Sequence, residues 1–271
     1  MNNLQYNQAL FERVHGNLHG ASDRMIARIT GVADRIPLGV RTILDLGAGR
    51  CYLSNLLLER GYQVTSLDLV RQSLKNARSP RVQGNGAALP FRDGSFDIVV
   101  CTEVVEHLQP DVRCAVLRES WRVTSQYVLI AVPNDEDLNA ALVCCNNCGH
   151  IFHAWGHLTS FNTKSMETLF PLPPSEISVH SRRASRYFPP LLFIRQKILK
   201  TYGYDTLLVC PACFYTDIQP PHRSLSVKVL DRINYWLRLE KEAGWLLALY
   251  DKKRNHAAGT KVAREETTKR I

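Results

Sequence analysis

Two turns of the chain, Cys145-Asn-Asn-Cys148 and Cys210-Pro-Ala-Cys213, each carry a pair of thiols three positions apart. A turn of this form holds two thiolates about 3.5 to 4 Å apart, as around one tetrahedral Zn2+ with Zn–S bonds of ~2.3 Å. Four thiolates close the coordination shell, so the metal expected at Cys145, Cys148, Cys210 and Cys213 is a structural Zn2+. A zinc that activates a thiol substrate would need an open position, with Cys144 or a histidine exchanged in. A second group is Glu103, Glu106 and His107, spaced i, i+3, i+4, which a helical turn would point in one direction. His150, His153 and His157 follow the first cysteine turn. The third is "LDLGAGRCYLS", where Gly47 and Gly49 let the backbone approach a ligand and the following helix start offers free N–H groups.

The elements that must position these residues follow from hydrophobic period. Apolar residues recur at helical spacing from Leu4 to Ile36, with a break near Gly20, which predicts two amphipathic helices. "RTILDLGAG" predicts a buried strand, "YLSNLLLERG" a helix closed by Gly61, and "QVTSLDL" a second strand. "RQSLKNAR" reads as a short helix, "RVQGN" as a short strand, "DGSFDIVVCTE" as a turn and fourth strand, "CAVLRESWRVT" as a helix and "QYVLIAVPN" as a fifth strand. Further on come a helix in "NTKSMETLF", a strand in "EISVHSR", a helix in "SVKVLDRINYWLRLE" with Val227, Leu230, Ile233 and Leu237 as its apolar positions, and a last strand, "WLLALYDKK".

Strands alternating with helices imply right-handed crossovers and a doubly wound, Rossmann-like sheet of seven strands with helices on both faces. Ligands of such sheets bind beyond the carboxyl ends of the strands, where all three groups fall. Residues 144–160 and 184–226, rich in loops and prolines, form a small zinc-stapled insertion or lid. The expected division is N-terminal helices capping the cofactor site (1–40), a ligand-binding core (41–143), zinc-binding insertions with part of the core (144–226), the last core helix and strand (227–251), and a disordered basic tail (252–271).

Composition bounds the rest. The chain has 271 residues, 45% of them hydrophobic, and eight cysteines. No apolar run approaches the roughly 20 residues of a membrane span, and the polar amino terminus lacks a signal-peptide pattern, so a cytoplasmic location is expected. Cys51, Cys101 and Cys114 sit singly in apolar stretches and are expected to be small buried hydrophobes. The net charge of +9 points to anionic partners. Much of it lies in 182–200, whose "RYFPPLLFIRQKILK" would suit peripheral membrane contact or a phosphate handle, and in the tail; neither by itself argues for nucleic acid.

The glycine turn can be read further. Tyr52 stands where a dinucleotide fingerprint has its third glycine, which disfavours NAD or FAD. Asp45 puts a carboxylate where pyrophosphate would be repelled, and Asp68, 21 residues after Gly47, ends the second strand where it can accept both hydroxyls of a ribose. A ligand with a ribose and a positive centre but no phosphate is S-adenosylmethionine (SAM). Over residues 42–133 the motifs "ILDLGAG", "SLDL", "NGAALPFRDGSFDIVVCTEVVEHL" and "YVLIAVP" resemble, in order, those of class I SAM-dependent methyltransferases.

That resemblance implies roles. Asp45, Gly47 and Gly49 would hold the methionine part, Asp68 and Leu69 the ribose, and Asn85 and Gly86 the adenine, with Asn85 in place of the family's usual aspartate. Thr102 and Glu103 would end the fourth strand beside the methyl group. "EVVEH" resembles the Glu-x-x-Glu-His element of methyltransferases that hold a divalent cation, Mg2+ or Mn2+, near the hydroxyl being methylated, and that recruit a later histidine. The same motif also occurs where it only shapes the loop and His107 packs. "HAWGHLTSFNTKSMETLF" resembles a stretch lining the acceptor pocket, which makes His157 the first choice of general base and leaves His150 and His153 as supporting or zinc-adjacent groups. Together these imply methyl transfer from SAM to a hydroxyl of a small-molecule or glycan acceptor, for which a lipid- or nucleotide-linked form would suit the basic segment. The alternatives are a nucleic-acid or protein methyltransferase docked through the zinc lid and basic tail, and a SAM- or zinc-binding interaction module without turnover.

Overall fold

The computed structural model describes residues 22–205 and 208–254 and the strand 261–266. The first half of the expected N-terminal helix pair and most of the basic tail lie outside the described residues. Helix α1 (Asp23–Ala33) is capped by Ser22, whose hydroxyl accepts from Met25 N–H. Strand β1 (Thr42–Leu46) follows, with four of its five residues buried. Next come α2 (Tyr52–Glu59), β2 (Gln63–Asp68), a 3-10 turn at Arg71–Asn76, β3 (Arg81–Gln83), β4 (Phe96–Thr102), α3 (Pro110–Val123) and β5 (Thr124–Pro133).

A short hairpin, β6 (Leu142–Cys144) and β7 (Ile151–His153), stands apart from the main sheet. One helical turn, α4 (Thr163–Met166), precedes β8 (Glu176–Arg186), α5 (Pro189–Phe193), α6 (Leu225–Leu237), β9 (Leu239–Asp251) and β10 (Lys261–Glu266).

The main sheet has the order β10-β8-β9-β5-β4-β1-β2-β3. β1 pairs parallel with β2 on one side and β4 on the other, so the winding reverses there and opens a crevice beyond the carboxyl ends of β1 and β4. Alternate strand residues feed two opposite cores. Ile43, Ile98, Val100 and Leu129 pack with Val32, Leu53 and Leu57, on the side of α1 and α2. Leu44, Leu46, Val99 and Ile130 pack with Val116, Leu117 and Val123 of α3. A third, small core of Val143, Cys145, Phe152, Ala154, Leu208, Cys210 and Ile218 belongs to the hairpin and the second cysteine turn.

Several expectations are corrected. The seven expected strands are present, but β9 lies antiparallel between β5 and β8, and β10 adds an eighth at the edge, parallel to β8. The tail was expected to be disordered, yet 261–266 pair through their backbone, which needs no side-chain period. The helix expected over 162–170 is one turn, held by a capping box between Asn162 and Ser165, because Phe170 precedes Pro171 and such a residue is pushed out of helical geometry. The residues 71–76 form a 3-10 turn rather than an α-helix. Cys51 and Cys101 are buried, whereas Cys114 is exposed, because it lies on the side of α3 away from Val116, Leu117 and Ser120. On α6 only Val227 and Leu230 are buried, and Ile233 and Leu237, expected in the core, face solvent.

Candidate functional site

The glycine loop leaves β1 with Gly47 at φ +78°. A Cβ there would overlap Val104 Cγ2, so both the dihedral and the close approach require glycine. Gly47 N and Ala48 N donate to Leu67 O at 2.8 and 3.0 Å, tying the loop to β2. At Gly49 (φ +49°) a Cβ would meet nothing within 4 Å, as on the wall of an open crevice.

Asp68 is fixed where β2 ends, with Oδ2 accepting from Gly49 N at 2.9 Å and Oδ1 from Val70 N at 2.8 Å. Each oxygen keeps acceptor capacity toward the crevice. Leu69 is half-buried beside it, Asn85 is exposed with Oδ1 accepting from Ala87 N at 2.9 Å, Gly86 packs on Leu46 and Val116, and Thr102 closes β4.

Asp45 departs from the sequence expectation: it lies within β1, beneath the loop. The Ser54 hydroxyl donates to its Oδ2 at 2.5 Å, and Ser66 and Ser79 extend the buried chain of hydroxyls. Burial, and to a smaller degree the charge of Asp68, raises its carboxyl to about 6.

The second cluster forms where β4 ends. Glu103 takes φ +57°, and a 3-10 turn over Val105–His107 follows. The three residues do not share one helical turn as the spacing implied; the left-handed Glu103 lets the chain turn sharply and bring its carboxyl back toward Glu106. Arg28 Nη1 donates to Glu103 Oε2 at 3.2 Å, while its guanidinium lies 4.1 Å from the centre of the Trp245 ring. Glu103 Oε1 and both oxygens of Glu106 are buried with no donor from the rest of the protein, the two carboxyls face each other so that a proton on one can be shared with the other, and Glu106 is 1% exposed. Burial first, and then the charge of Glu103, pushes Glu106 well above the usual carboxylate range. Glu103 is raised by burial against the opposing pull of Arg28.

The segment after β7 closes over this turn. Leu158 N and Thr159 N donate to Glu106 O at 2.7 and 3.2 Å. The His157 ring stands edge-to-face on His107 at 4.7 Å and stacks on His153 at 4.8 Å. One ligand atom from each of Glu106, His107 and His157 lies within 4.8 Å of the others. Burial, and then the charge of His157, lowers His107 to about 3.

Glu136, in the loop after β5, is the residue that sequence reasoning missed. Its Oε2 accepts from His157 Nδ1 at 2.5 Å, and its Oε1 lies 3.5 Å from His153 Nε2. His153 Nδ1 accepts from Trp155 N and His157 N at 3.3 and 3.2 Å. Burial alone would raise Glu136, but the two imidazoles outweigh it and hold the carboxyl at about 2. His150 is exposed, against Phe152. The signal for Glu136 was positional, an acid just past the carboxyl end of a central strand.

The four cysteines of the two turns do meet. Cys145 Sγ lies 3.6 Å from Cys213 Sγ, Cys148 Sγ lies 3.6 Å from Cys210 Sγ, and all four sulfurs are within 4.8 Å of one another. The two turns share one backbone pattern. Gly149 N donates to Cys145 O and Phe214 N to Cys210 O, both at 2.9 Å, and both donor residues have positive φ. The Asn147 amide donates to Cys213 Sγ at 3.6 Å and holds that thiol below its ordinary value. Cys144 stays outside, half-buried.

Residues 44–131, from β1 through β5, match the family described as a methyltransferase domain. This part of the chain is similar to methyltransferase domains in sequence. The domain is 33% identical over 95 residues to the ubiquinone biosynthesis O-methyltransferase of Pseudomonas paraeruginosa, which covers 31% of this chain and 40% of that protein. It is 37% identical over 87 residues to the enzyme of the same name from Idiomarina loihiensis, covering 28% and 35%. The chain thus spans about two fifths of these relatives' length. A SAM-dependent methyltransferase from Archaeoglobus fulgidus shares the fold across 90% of this chain and 98% of its own, with a TM-score of 0.54 and 16% identity. The matched region contains Asp45, Gly47, Gly49, Asp68, Glu103, Glu106 and His107; Glu136, His153, His157 and all four clustered cysteines lie beyond it.

Proposed function

We propose that the chain transfers the methyl group of SAM to a hydroxyl of a small-molecule acceptor, with a divalent cation held by Glu103, Glu106, His107 and His157 and a structural Zn2+ held by Cys145, Cys148, Cys210 and Cys213. The observation that carries the cation assignment is the pair of Glu106 oxygens and Glu103 Oε1, buried with no donor from the rest of the protein beside two imidazoles. Buried carboxylate oxygens without donors cost several kcal/mol, and a mixed set of carboxylates and imidazoles fits Mn2+ better than Mg2+, whose ligands are mostly oxygens. The relatives named O-methyltransferases support a hydroxyl as the acceptor.

In this reading each residue has a task. Asp68 accepts the ribose hydroxyls, and Gly47 and Gly49 keep the wall open for the rest of SAM. Glu103, Glu106, His107 and His157 would hold the cation, which would supply Lewis acidity to lower the pKa of an acceptor hydroxyl and favour its in-line attack on the methyl. Arg28 holds Glu103 to one side. With Glu136 accepting the Nδ1 proton of His157, Nε2 would be the nitrogen left to serve as ligand or base. The same Glu136–His157 pair would also make Nε2 a competent general base.

Exhaustive chelation followed by Mg2+ or Mn2+ addition separates the two roles of His157. Methyl transfer from labelled SAM in cell extract should be lost and then restored, and Glu106→Gln should lower turnover at least ~100-fold with little change in SAM affinity. Activity that survives chelation and does not respond to metal overturns the cation assignment and leaves His157 as the base.

A further inference from the structure

We propose that the outer face of helix α6 docks the protein onto an anionic lipid membrane. The helix is attached to the body through one arc. Val227 and Leu230 are buried, Asp231 Oδ1 accepts from Tyr187 Oη at 2.8 Å and pairs with Arg195 at 3.3 Å, and Asn234 Oδ1 accepts from Phe188 N at 2.8 Å. At 3.6 residues per turn, Leu225, Val229, Ile233, Trp236 and Leu237 fall on the opposite arc, about 120° wide. Their exposures run from 44% at Ile233 to 78% at Leu225. A helix that only faces water carries polar residues on that arc; this one carries an apolar stripe interrupted by Ser226 alone.

The flanks identify the occupant. Lys228 and Arg232 border the stripe, Arg223 precedes it, and Arg238 follows with its guanidinium 4.5 Å from the Tyr235 ring centre, beside Trp236. Apolar stripe, basic edge and an aromatic pair at one end are the pattern of a helix lying in the plane of a membrane interface. Lys228, Arg232 and Arg238 on the helix are exposed and its one acid, Asp231, is taken up by Arg195 and Arg223, so a second copy would bring like charge to the face, whereas anionic headgroups complement it. No described helix is long and apolar enough to cross a membrane, so the contact is peripheral.

The test is co-sedimentation of the full chain with vesicles of phosphatidylcholine alone or of equal parts phosphatidylcholine and phosphatidylglycerol. Binding is expected only to the anionic vesicles, and it should weaken in high salt. Trp236→Ser and, separately, the double change Lys228→Glu with Arg232→Glu should each weaken binding at least ~10-fold at unchanged melting temperature and SAM affinity. The charge variant keeps the test decisive if the Trp236 variant folds poorly. Absent binding, equal binding to neutral vesicles, or variants that bind like the parent overturn the proposal. So does a dimer in analytical ultracentrifugation that Trp236→Ser dissociates, which assigns the face to a second copy, or binding that appears only after residues 2–21 are removed, which assigns it to that segment.

Discussion

The cysteine cluster and the acid and imidazole cluster are both groups of potential metal ligands, but the chain builds them in opposite ways. Each cysteine pair sits on a turn whose backbone hydrogen bonds are local, and the two turns share a small core with the β6–β7 hairpin. Four chemically equal donors face inward with no position left over. The other cluster draws Glu103 from the end of β4, Glu106 and His107 from a 3-10 turn, and His157 from the far side of the hairpin. Its donors are mixed, Glu106 and one oxygen of Glu103 have no donor while Arg28 holds the other, and its imidazole is held by Glu136. A closed symmetric shell suits a staple, and an open mixed one suits a reacting ligand. The hairpin joins the two, because β7 leads directly into His153 and His157.

The sharpest way to break this comparison is Cys210→Ser. The third core is too small to hold the insertion alone, so if the staple is zinc the parent should carry about one per chain, and the variant should lose it and be destabilised by several kcal/mol. Metal analysis with calorimetry checks it, and full zinc retention would remove the staple from the comparison. Turnover should fall further than SAM affinity, since His157 loses its support.

A third buried acid calibrates the second cluster. Asp45 has a hydroxyl partner where Glu106 has none, and its carboxyl still rises from 3.8 to about 6. The folded state therefore binds more protons than the unfolded one between these values. Stability is fully present below the unfolded pKa and declines as pH rises through about 6, by up to about 3 kcal/mol. Denaturation of the SAM-free protein between pH 4 and 7 should show this decline, and Asp45→Asn should flatten it. An unchanged slope in the variant assigns the effect elsewhere.

Glu136→Gln probes how the open cluster is held. Titration calorimetry with Mn2+ should show affinity reduced by about 10- to 100-fold, the usual cost of removing a carboxylate behind a ligating histidine, with zinc content unchanged. Loss of zinc as well would mean that the two clusters are not separable. The smallest effect is expected at Cys144, which neighbours the staple without joining it. Cys144→Ser should change stability by less than about 0.5 kcal/mol and leave zinc content intact, by the same two measurements.

Much of this was legible from residues alone because the signals were local. A buried apolar run, two glycines and an acid at the next strand's end define the crevice through short-range geometry. The CxxC turns likewise carry their own backbone pattern, so two of them announce a four-sulfur site at any separation. The open cluster was legible only in part. The spacing of Glu103, Glu106 and His107 implied a shared helical face, and the structure reaches convergence by a left-handed residue instead. Glu136 had no spacing to reveal it, since its partners lie 17 and 21 positions away across a hairpin. On α6 the period was read correctly but the face was not, because a 3.6-residue repeat reports that apolar residues align and not which side meets the body.

Sequence by itself therefore determined the strand and helix rhythm, the glycine loop, Asp68 and the four cysteines, since each depends on contacts within a few residues or on donor chemistry. Tertiary structure alone decided the direction of β9, the burial of Asp45 beneath its loop, the union of Glu136 with His153 and His157, and the outward turn of α6. These depend on which distant surfaces meet, and burial and unpaired charge acquire their energies only once they have met.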